Sequence, residues 1–506
     1  RAVASHGVKE KEHLEESSTE TEVADSRPEK DKSVKSRRGI LITITAFAAL
    51  LTLAAVLVFT RIFNDDGSGK TRTDPEKSIA VLPFRNDSPD AENLYFVDGT
   101  MEAILDNLCK VASLKVISRT SVEQYRSSTK TIGEIARELK VRYILEGSGQ
   151  KYGDEIRLTV QLIDAGNDKH IWSSQYDRNI SDIFKIQSEI AQSIASEIQV
   201  YITEDEKVII EKIPTSSLAA YELYLRANGY KEEFAGNRDL ISYQTAVNLY
   251  KAALKIDSAY AKVYTGLADI YYERYYSETY FNEVFLDSCL VLADIALSFD
   301  EKLDEAYYLR GQYFLANGNI EDALNNFDKG LKINPNYSQA YIRKGHILTY
   351  QLADYVKGID NFRIALNLIY GNERPALLIS LAGAFLDAGF VDNARDLYYE
   401  VYSLDGNKAS YYIRLSWLEL SDGNIEEALN LRRMAYEIDT TIPGDLFIYS
   451  LIPGNEDEAY SQSLRLLSRF KQSGELNLIQ SHRIGYAFWQ VGKQKEGEEY
   501  FNDQVR

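Results

Sequence analysis

Four kinds of hydrophobic pattern follow one another along the chain. Ile40 to Thr60 is an apolar run of 21 residues without a charge. As a helix, such a run covers about 31 Å, enough to cross the hydrocarbon core of a bilayer. It predicts a transmembrane helix over residues 40–63. From residue 75, short apolar runs alternate with stretches of helical period. Ser78–Phe84 reads as a buried strand stopped by a proline. A helix follows, with Asp98 as its N-cap and Ala103, Ile104, Leu105 and Leu108 as its apolar stripe. Leu114–Ile117 predicts a second strand and Thr131–Leu139 an amphipathic helix. The period then falls to two. Arg142–Lys151, Glu155–Asp164 and His170–Tyr176 predict three strands, with turns at Gly153-Asp154 and at Ala165–Asp168. The middle strand puts Ile156, Leu158, Val160 and Leu162 on one face. Asp182 caps a last helix whose apolar side carries Ile183, Ile186, Ile190 and Ile194. This is an α/β or α+β unit, residues 75–210.

Residues 215–506 show an internal repeat. In the segment starting at Asp304, the small Gly311 is followed 12 residues on by Ala323, then by Phe327, Gly330 and Pro335. Small residues let two helices approach, and large aromatics fill the seam between them. The small crossing residue recurs as Cys289, Ala323, Gly358, Ala394 and Ala428, at gaps of 34, 35, 36 and 34. Ala246 anticipates the series, with a loop insertion around Tyr275–Asn282. Gly485, Gly492, Gly497 and Phe501 mark a final repeat, and a divergent one fits near Glu456–Phe470. The pattern predicts about seven helix pairs and resembles the tetratricopeptide repeat. In that family the first helix of each pair lines a concave face that binds peptides or partner proteins. By repeat register, Tyr308, Gln312, Arg343, His346, Arg414 and Trp417 are the candidate groove residues.

Charge and composition refine this division. The net charge is −19 over 506 residues. Residues 1–39 contain nine bases and nine acids, so the whole excess belongs to residues 40–506. An acidic surface argues against wrapping nucleic acid there. The first 39 residues read as a disordered linker. Lys32, Lys35, Arg37 and Arg38 precede the span, whereas Arg61 beyond it is soon met by Asp65 and Asp66. The positive-inside bias puts the linker in the cytoplasm and everything past a tether (64–74) outside it. The expected location is a bacterial inner membrane, single pass, with a periplasmic C-terminal region. The chain starts with Arg1 and stops within a helical pattern, so a longer protein is expected. The two cysteines, Cys109 and Cys289, fall on helical patterns and read as buried free thiols. Of 36 tyrosines, 30 lie after residue 215, many at repeat seams.

The 75–210 unit carries a second resemblance. SIAVLPFRNDS, VISRTSVEQYR, ILEGS, TVQLIDA, YDR and DIFKIQSEIA resemble a TolB-like amino-terminal domain. Such domains occur beyond the membrane span of bacterial regulators, including those of AraC/CadC-like architecture, and of some class III adenylate cyclases. The resemblance implies no catalytic residues.

Enzyme motifs are not found. Gly69-Lys70-Thr71 ends like a phosphate loop, but the first glycine of that motif would fall on Asn64. Gly147-Ser148-Gly149 lacks nucleophile-elbow spacing and reads as a strand bulge or loop. The histidines His6, His13, His170, His346 and His482 form no metal signature. No catalytic residue, cofactor or metal site is assigned. The expected architecture is multidomain: one transmembrane helix, a small α/β domain and an all-α tetratricopeptide superhelix. The expected function is the sensory, protein-interaction region of a membrane signalling protein. Its output would be a cytoplasmic helix-turn-helix domain before Arg1, so that DNA is touched only through that domain. A class III adenylate cyclase output, or a periplasmic scaffold without output, are the alternatives. The expected partners are a protein or peptide in the groove, the membrane through residues 40–63, and a second copy as a homodimer.

Overall fold

Ser78 begins strand β1 (Ser78–Val81), whose residues alternate between two cores. Ile79 and Val81 belong to one cluster, Ala80 to another. The computed structural model describes residues 77–90, 93–277, 283–439, 454, 456–473 and 478–502. The predicted linker, span and tether lie outside these residues, as do His6, His13 and the His482 side chain. Among the described residues, no helix is long and apolar enough to cross a membrane.

After β1 come β2 (Arg85–Asn86), helix α1 (Leu94–Cys109), β3 (Lys115–Val116), α2 (Arg119–Glu123) and α3 (Ile132–Leu139). Three long strands follow, β4 (Tyr143–Tyr152), β5 (Glu155–Asp164) and β6 (Lys169–Asn179), then α4 (Ile183–Glu197) and a short α5 (Glu204–Ile210). The strand order is β3-β1-β4-β5-β6, with β2 pairing β4. β1 runs parallel to both β3 and β4, and β4, β5 and β6 form an antiparallel meander. The sheet is therefore mixed. β5 shows the predicted alternation, because Ile156, Leu158, Val160 and Leu162 are all buried. α1 and α4 cover that face. α2 and α3 cover the opposite face at the parallel end, where Ile117, Val122, Ile135 and Leu139 meet Ala80 and Ile144.

Local chemistry sets several boundaries. Thr131 and Glu134 form a reciprocal capping box at the start of α3. Asp98 is not an N-cap: α1 begins four residues earlier at Leu94. Burial of Phe96 and Val97 in the main core draws that turn into the helix, and the Asp98 carboxylate instead accepts from Arg126 at 2.9 Å. Asp182 makes no side-chain cap. The Asn179 side chain accepts from Ser181 N and starts a 3-10 turn (Ile180–Asp182) that leads into α4. Gly147-Ser148-Gly149 is neither bulge nor loop but regular β4. A Cβ on Gly147 would lie 2.8 Å from the Thr159 carbonyl oxygen and 3.0 Å from the Phe84 ring.

The array begins at α6 (Leu218–Asn237) and α7 (Leu240–Ile256), then α8 (Ala261–Ser277) and α9 (Glu283–Phe299), then α10 (Asp304–Ala316) and α11 (Ile320–Ile333). It continues with α12 (Ser338–His346) and α13 (Tyr355–Leu368), α14 (Arg374–Asp387) and α15 (Val391–Asp405), and α16 (Lys408–Ser421) and α17 (Ile425–Ile438). The last described elements are α18 (Glu456–Ser473), α19 (Leu478–Gln490) and α20 (Gln494–Asn502). The described residues thus hold seven helix pairs, plus α18. The small crossing residues Ala246, Cys289, Ala323, Ala394 and Ala428 are all fully buried on the second helix of their pairs. Ser463 of α18, 35 residues after Ala428, is equally buried and marks the divergent repeat. Glycines on first helices accept aromatic rings. A Cβ on Gly311 would lie 2.5 Å from Phe327, and one on Gly345 2.6 Å from Phe362. A π-helical turn (Ile347–Gln351), which the periodicity does not predict, extends α12.

The α/β unit and the array are not beads on a string. One continuous core runs from Ile79 on the sheet through Ile183 and Ile190 on α4 to Tyr250, Val263 and Ile270 in the first two repeats.

Candidate functional site

Two places gather chemistry-bearing side chains. The first lies on the first helices of consecutive repeats. Tyr308 and Gln312 sit one turn apart on α10, and Arg343 and His346 sit one turn apart on α12. Arg343 hydrogen-bonds the Tyr308 hydroxyl, whose ring packs against Phe327 and Tyr337 at 5.7 and 5.0 Å. His346 stacks on Tyr350 at 5.7 Å and meets the edge of Phe362 at 5.1 Å. Burial first, and then the Arg343 charge, push its pKa down, which favours the neutral imidazole. Gln312 is 1% exposed, and neither atom of its side-chain amide has a hydrogen-bond partner. These four candidates therefore form one locus, with Gln312 at its sealed floor.

Arg414 and Trp417 form a second locus on α16. Arg414 Nη1 stands 3.8 Å from Asp405. The Arg432 guanidinium of α17 lies 5.0 Å from the Trp417 ring centre, and its Nε donates to Ser416 Oγ at 2.6 Å. α14, a whole first helix, stands between the two loci in sequence.

The second place was not anticipated from the sequence. The turns between successive repeats dock on the parallel end of the α/β unit. Lys262 at the start of α8 pairs with Asp106 of α1 at 2.8 Å. Asp304 at the start of α10 pairs with Lys110, which also meets Asp106 at 2.9 Å. Asn334 Nδ2 donates to the other Asp304 oxygen at 2.7 Å. Asn336, in the turn before α12, accepts from Val116 N at 3.0 Å and donates to the carbonyls of Cys109 (3.1 Å) and Leu114 (2.9 Å). At the end of α13, Leu368 O accepts from Ser118 N at 3.0 Å, and in the turn that follows Tyr370 N donates to Ser121 Oγ at 2.8 Å. Asn336 and Leu368 thereby satisfy backbone amides at or just beyond edge strand β3, which is how an open sheet edge is closed.

The electrostatics of this seam are tightly coupled. Carboxylate oxygens of Asp106, Asp304 and Glu305 come within 4.8 Å of one another, the spacing of a cation site. Two ammonium groups already thread the cluster, because Lys262 also lies 4.0 Å from Glu305. Its arrangement is therefore an ion network. Burial works against the Asp106 carboxylate, yet Lys110 and Lys262 hold it below the usual range. Glu305 is pushed up to about 7 by burial and by the neighbouring Asp304. Around the corner, Arg119 pairs with Glu102, Glu123 and, across the seam, Glu232 of α6. Burial pushes Glu102 up to about 7 against the pull of Arg119. Both cysteines are free thiols, with Cys289 buried and Cys109 partly so.

Asp164, Asp177 and Arg178 of the α/β unit have structural partners. Asp164 accepts from Arg142 and Asn167, Asp177 pairs with Arg157 on the exposed face, and Arg178 pairs with Glu189.

Known proteins are similar to parts of the chain. Residues 75–193 match the family model described as the HilA/YgeH-like transcriptional regulator, second domain. The chain is 37% identical over 193 residues to a protein of Rhizobium meliloti (strain 1021) named putative adenylate cyclase 3, spanning 38% of this chain and 32% of that one. The chain thus spans about a third of that relative's length. Among solved structures, a tetratricopeptide repeat protein from Parabacteroides merdae is 17% identical, covers 56% of this chain and 100% of its own, and superposes with a TM-score of 0.36. PilF of Pseudomonas aeruginosa is 16% identical over 42% of this chain and 93% of its own, with a TM-score of 0.33.

Proposed function

We propose that the region from residue 75 onward is the extracytoplasmic, partner-binding part of a single-pass membrane signalling protein. Its output is a cytoplasmic helix-turn-helix domain on the N-terminal side of the span. The observation that carries the reading is the groove locus. Tyr308, Arg343 and His346 offer aromatic faces and a guanidinium on consecutive first helices. Tyrosine and arginine are the side chains that most often anchor a partner. The match of residues 75–193 to a domain of transcriptional regulators supports the choice of output. Signal transfer then works by population shift: a partner that prefers one conformation of this region biases the state reported across the membrane.

The experiment is a peptide-array screen with the full chain in detergent, followed by affinity measurement on the best binders. Arg343→Glu and His346→Ala should each weaken those peptides at least tenfold. Equal binding by both variants would sink the groove reading. Reporter fusions before Ile40 and after Phe63 test the topology, and a cytoplasmic C-terminal side overturns the extracytoplasmic assignment.

A second reading keeps the same module but ends in a class III adenylate cyclase. The stretch 37% identical to a putative adenylate cyclase favours it.

A further inference from the structure

Positive charge collects where the end of α3 meets the turn between α13 and α14. Lys115 on edge strand β3 is half-buried, and Lys140, the residue after α3, is exposed. Arg374 opens α14 on the array side. The Lys115 ammonium and the Arg374 guanidinium both lie against the Tyr370 ring, at 5.6 and 5.1 Å from its centre. Tyr370 itself is 6% exposed and packs into the cluster under α2 and α3. The corner is thus built from both modules.

Its charges do not cancel. Arg374 is satisfied: it donates to the carbonyls of Leu366 and Ile369, and Glu400 stands 3.4 Å from it. Glu373, its neighbour in sequence, accepts instead from the Thr120 hydroxyl at 2.8 Å. Among the described residues, neither Lys115 nor Lys140 has a carboxylate partner. The Lys115 ammonium makes one long hydrogen bond there, 3.5 Å to the Lys140 carbonyl. Burial first, and then the Lys140 and Arg374 charges, push its pKa down to about 8, and no acid acts against them. A lysine withdrawn from water is ordinarily paired. Although the chain is −19 overall, this corner is locally positive. Two requirements specify an occupant. It must bring acceptors, because an ammonium group only donates. It must also carry two negative charges, because two lysines remain once Glu400 is set against Arg374. A doubly charged oxyanion meets both, and lysine binds phosphate as a point charge.

We infer that Lys115 and Lys140 bind a doubly charged oxyanion, inorganic phosphate or the phosphomonoester of a larger molecule, at the seam between the two modules. The inference goes beyond the groove reading and does not depend on it, since none of the groove candidates belongs to this corner. Lys115 comes from the sheet and Arg374 from the array, so their charges repel across the seam. An anion placed there removes that repulsion and stabilises the docking by mass action.

The test is calorimetric titration of the full chain, in non-ionic detergent and chloride buffer at matched ionic strength, with phosphate, sulfate, glycerol phosphate and acetate. Phosphate and sulfate should bind, and acetate, with one charge, should bind at least tenfold more weakly. Lys115→Met and Lys140→Glu should each weaken sulfate at least tenfold. The second variant changes an exposed side chain, so it keeps the test open if the first fails to fold. Arg343→Glu in the groove should leave sulfate binding unchanged. Glycerol phosphate bound as tightly as phosphate assigns the site to a phosphomonoester, and tighter binding of phosphate assigns it to the free ion. The proposal is overturned by the absence of phosphate and sulfate binding, by equal affinity for acetate, or by undiminished binding to Lys140→Glu. Loss of binding in Arg343→Glu would move the anion to the groove and overturn it as well.

Discussion

The two halves of the array use the same repeat and different turns. In the first half, the residues of the turn before α12 are internal. Asn334 and Asn336 are 7% and 9% exposed and bond across to the α/β unit. In the second half, the equivalent turn between α15 and α16 is exposed at Asp405, Gly406 and Asn407. There Asn407 only caps its own helix, accepting from Ser410 N at 2.9 Å. The seams inside the repeats are alike in both halves: Ala323 and Ala394 are fully buried, as are Phe327 and Val401. What distinguishes the halves is therefore not the repeat core but what its edge touches. A polar turn is a cap when water surrounds it and a clasp when another module does.

Four measurements would break or sharpen that contrast. The largest effect is expected for Asn336→Ala. It orphans the Val116 amide and two carbonyls in a buried seam, at roughly 1–3 kcal/mol for each unsatisfied group. Denaturant unfolding should show a loss of roughly 3–6 kcal/mol after relaxation. A loss below about 1 kcal/mol would mean the clasp adds no more than an exposed cap.

Lys110→Ala comes next. It leaves Asp304 buried without its main counter-charge, and breaking a buried pair costs about 3–5 kcal/mol. The double change Lys110→Met with Asp304→Leu should recover most of that loss if the seam needs matched partners rather than charge itself.

The third measurement is a pH profile. Glu305 rises from its usual 4.5 to about 7, so the folded state binds protons that the unfolded state releases. Stability from this group is then fully present below about 4.5 and declines as pH rises toward 7. Glu102 acts in the same direction. The melting temperature of Glu305→Gln should therefore fall less than that of the parent across this window. Parallel profiles would remove Glu305 from the linkage.

The smallest effect belongs to Asn407→Ala in the free half. Loss of an N-cap costs about 1 kcal/mol, and hydrogen exchange should report fraying at the start of α16 only. A loss as large as that of Asn336→Ala would erase the distinction between the halves.

Much of the architecture is legible in the residues. The 34-to-36 spacing of Cys289, Ala323, Gly358, Ala394 and Ala428 locates the second helices, because a helix crossing tolerates only a small side chain. The alternation Ile156, Leu158, Val160 and Leu162 locates β5, because a strand with one buried face must alternate. Asp98 misleads because a good cap residue is outweighed by burial of Phe96 and Val97 just before it. Gly147 misleads because its glycine serves close packing rather than a bend.

The candidate sites divide the same way. Repeat register by itself points to Tyr308, Gln312, Arg343 and His346 as neighbours on successive first helices. It does not show that Gln312 is sealed with its amide unsatisfied, since burial depends on what packs above it. The seam is illegible in sequence, because its partners are far apart: Lys110 and Asp304 are separated by 194 residues, Val116 and Asn336 by 220. Nothing local marks Asn336 as different from Asn407. Sequence periodicity determined the helices and the strands, since each follows from residues within one or two turns of one another, and the repeat, since its small crossing residue recurs every 34 to 36 positions. Only the tertiary structure decided that the edge of the array closes the edge of the sheet, because pairing a buried ammonium or amide is a property of the whole surface that excludes water around it.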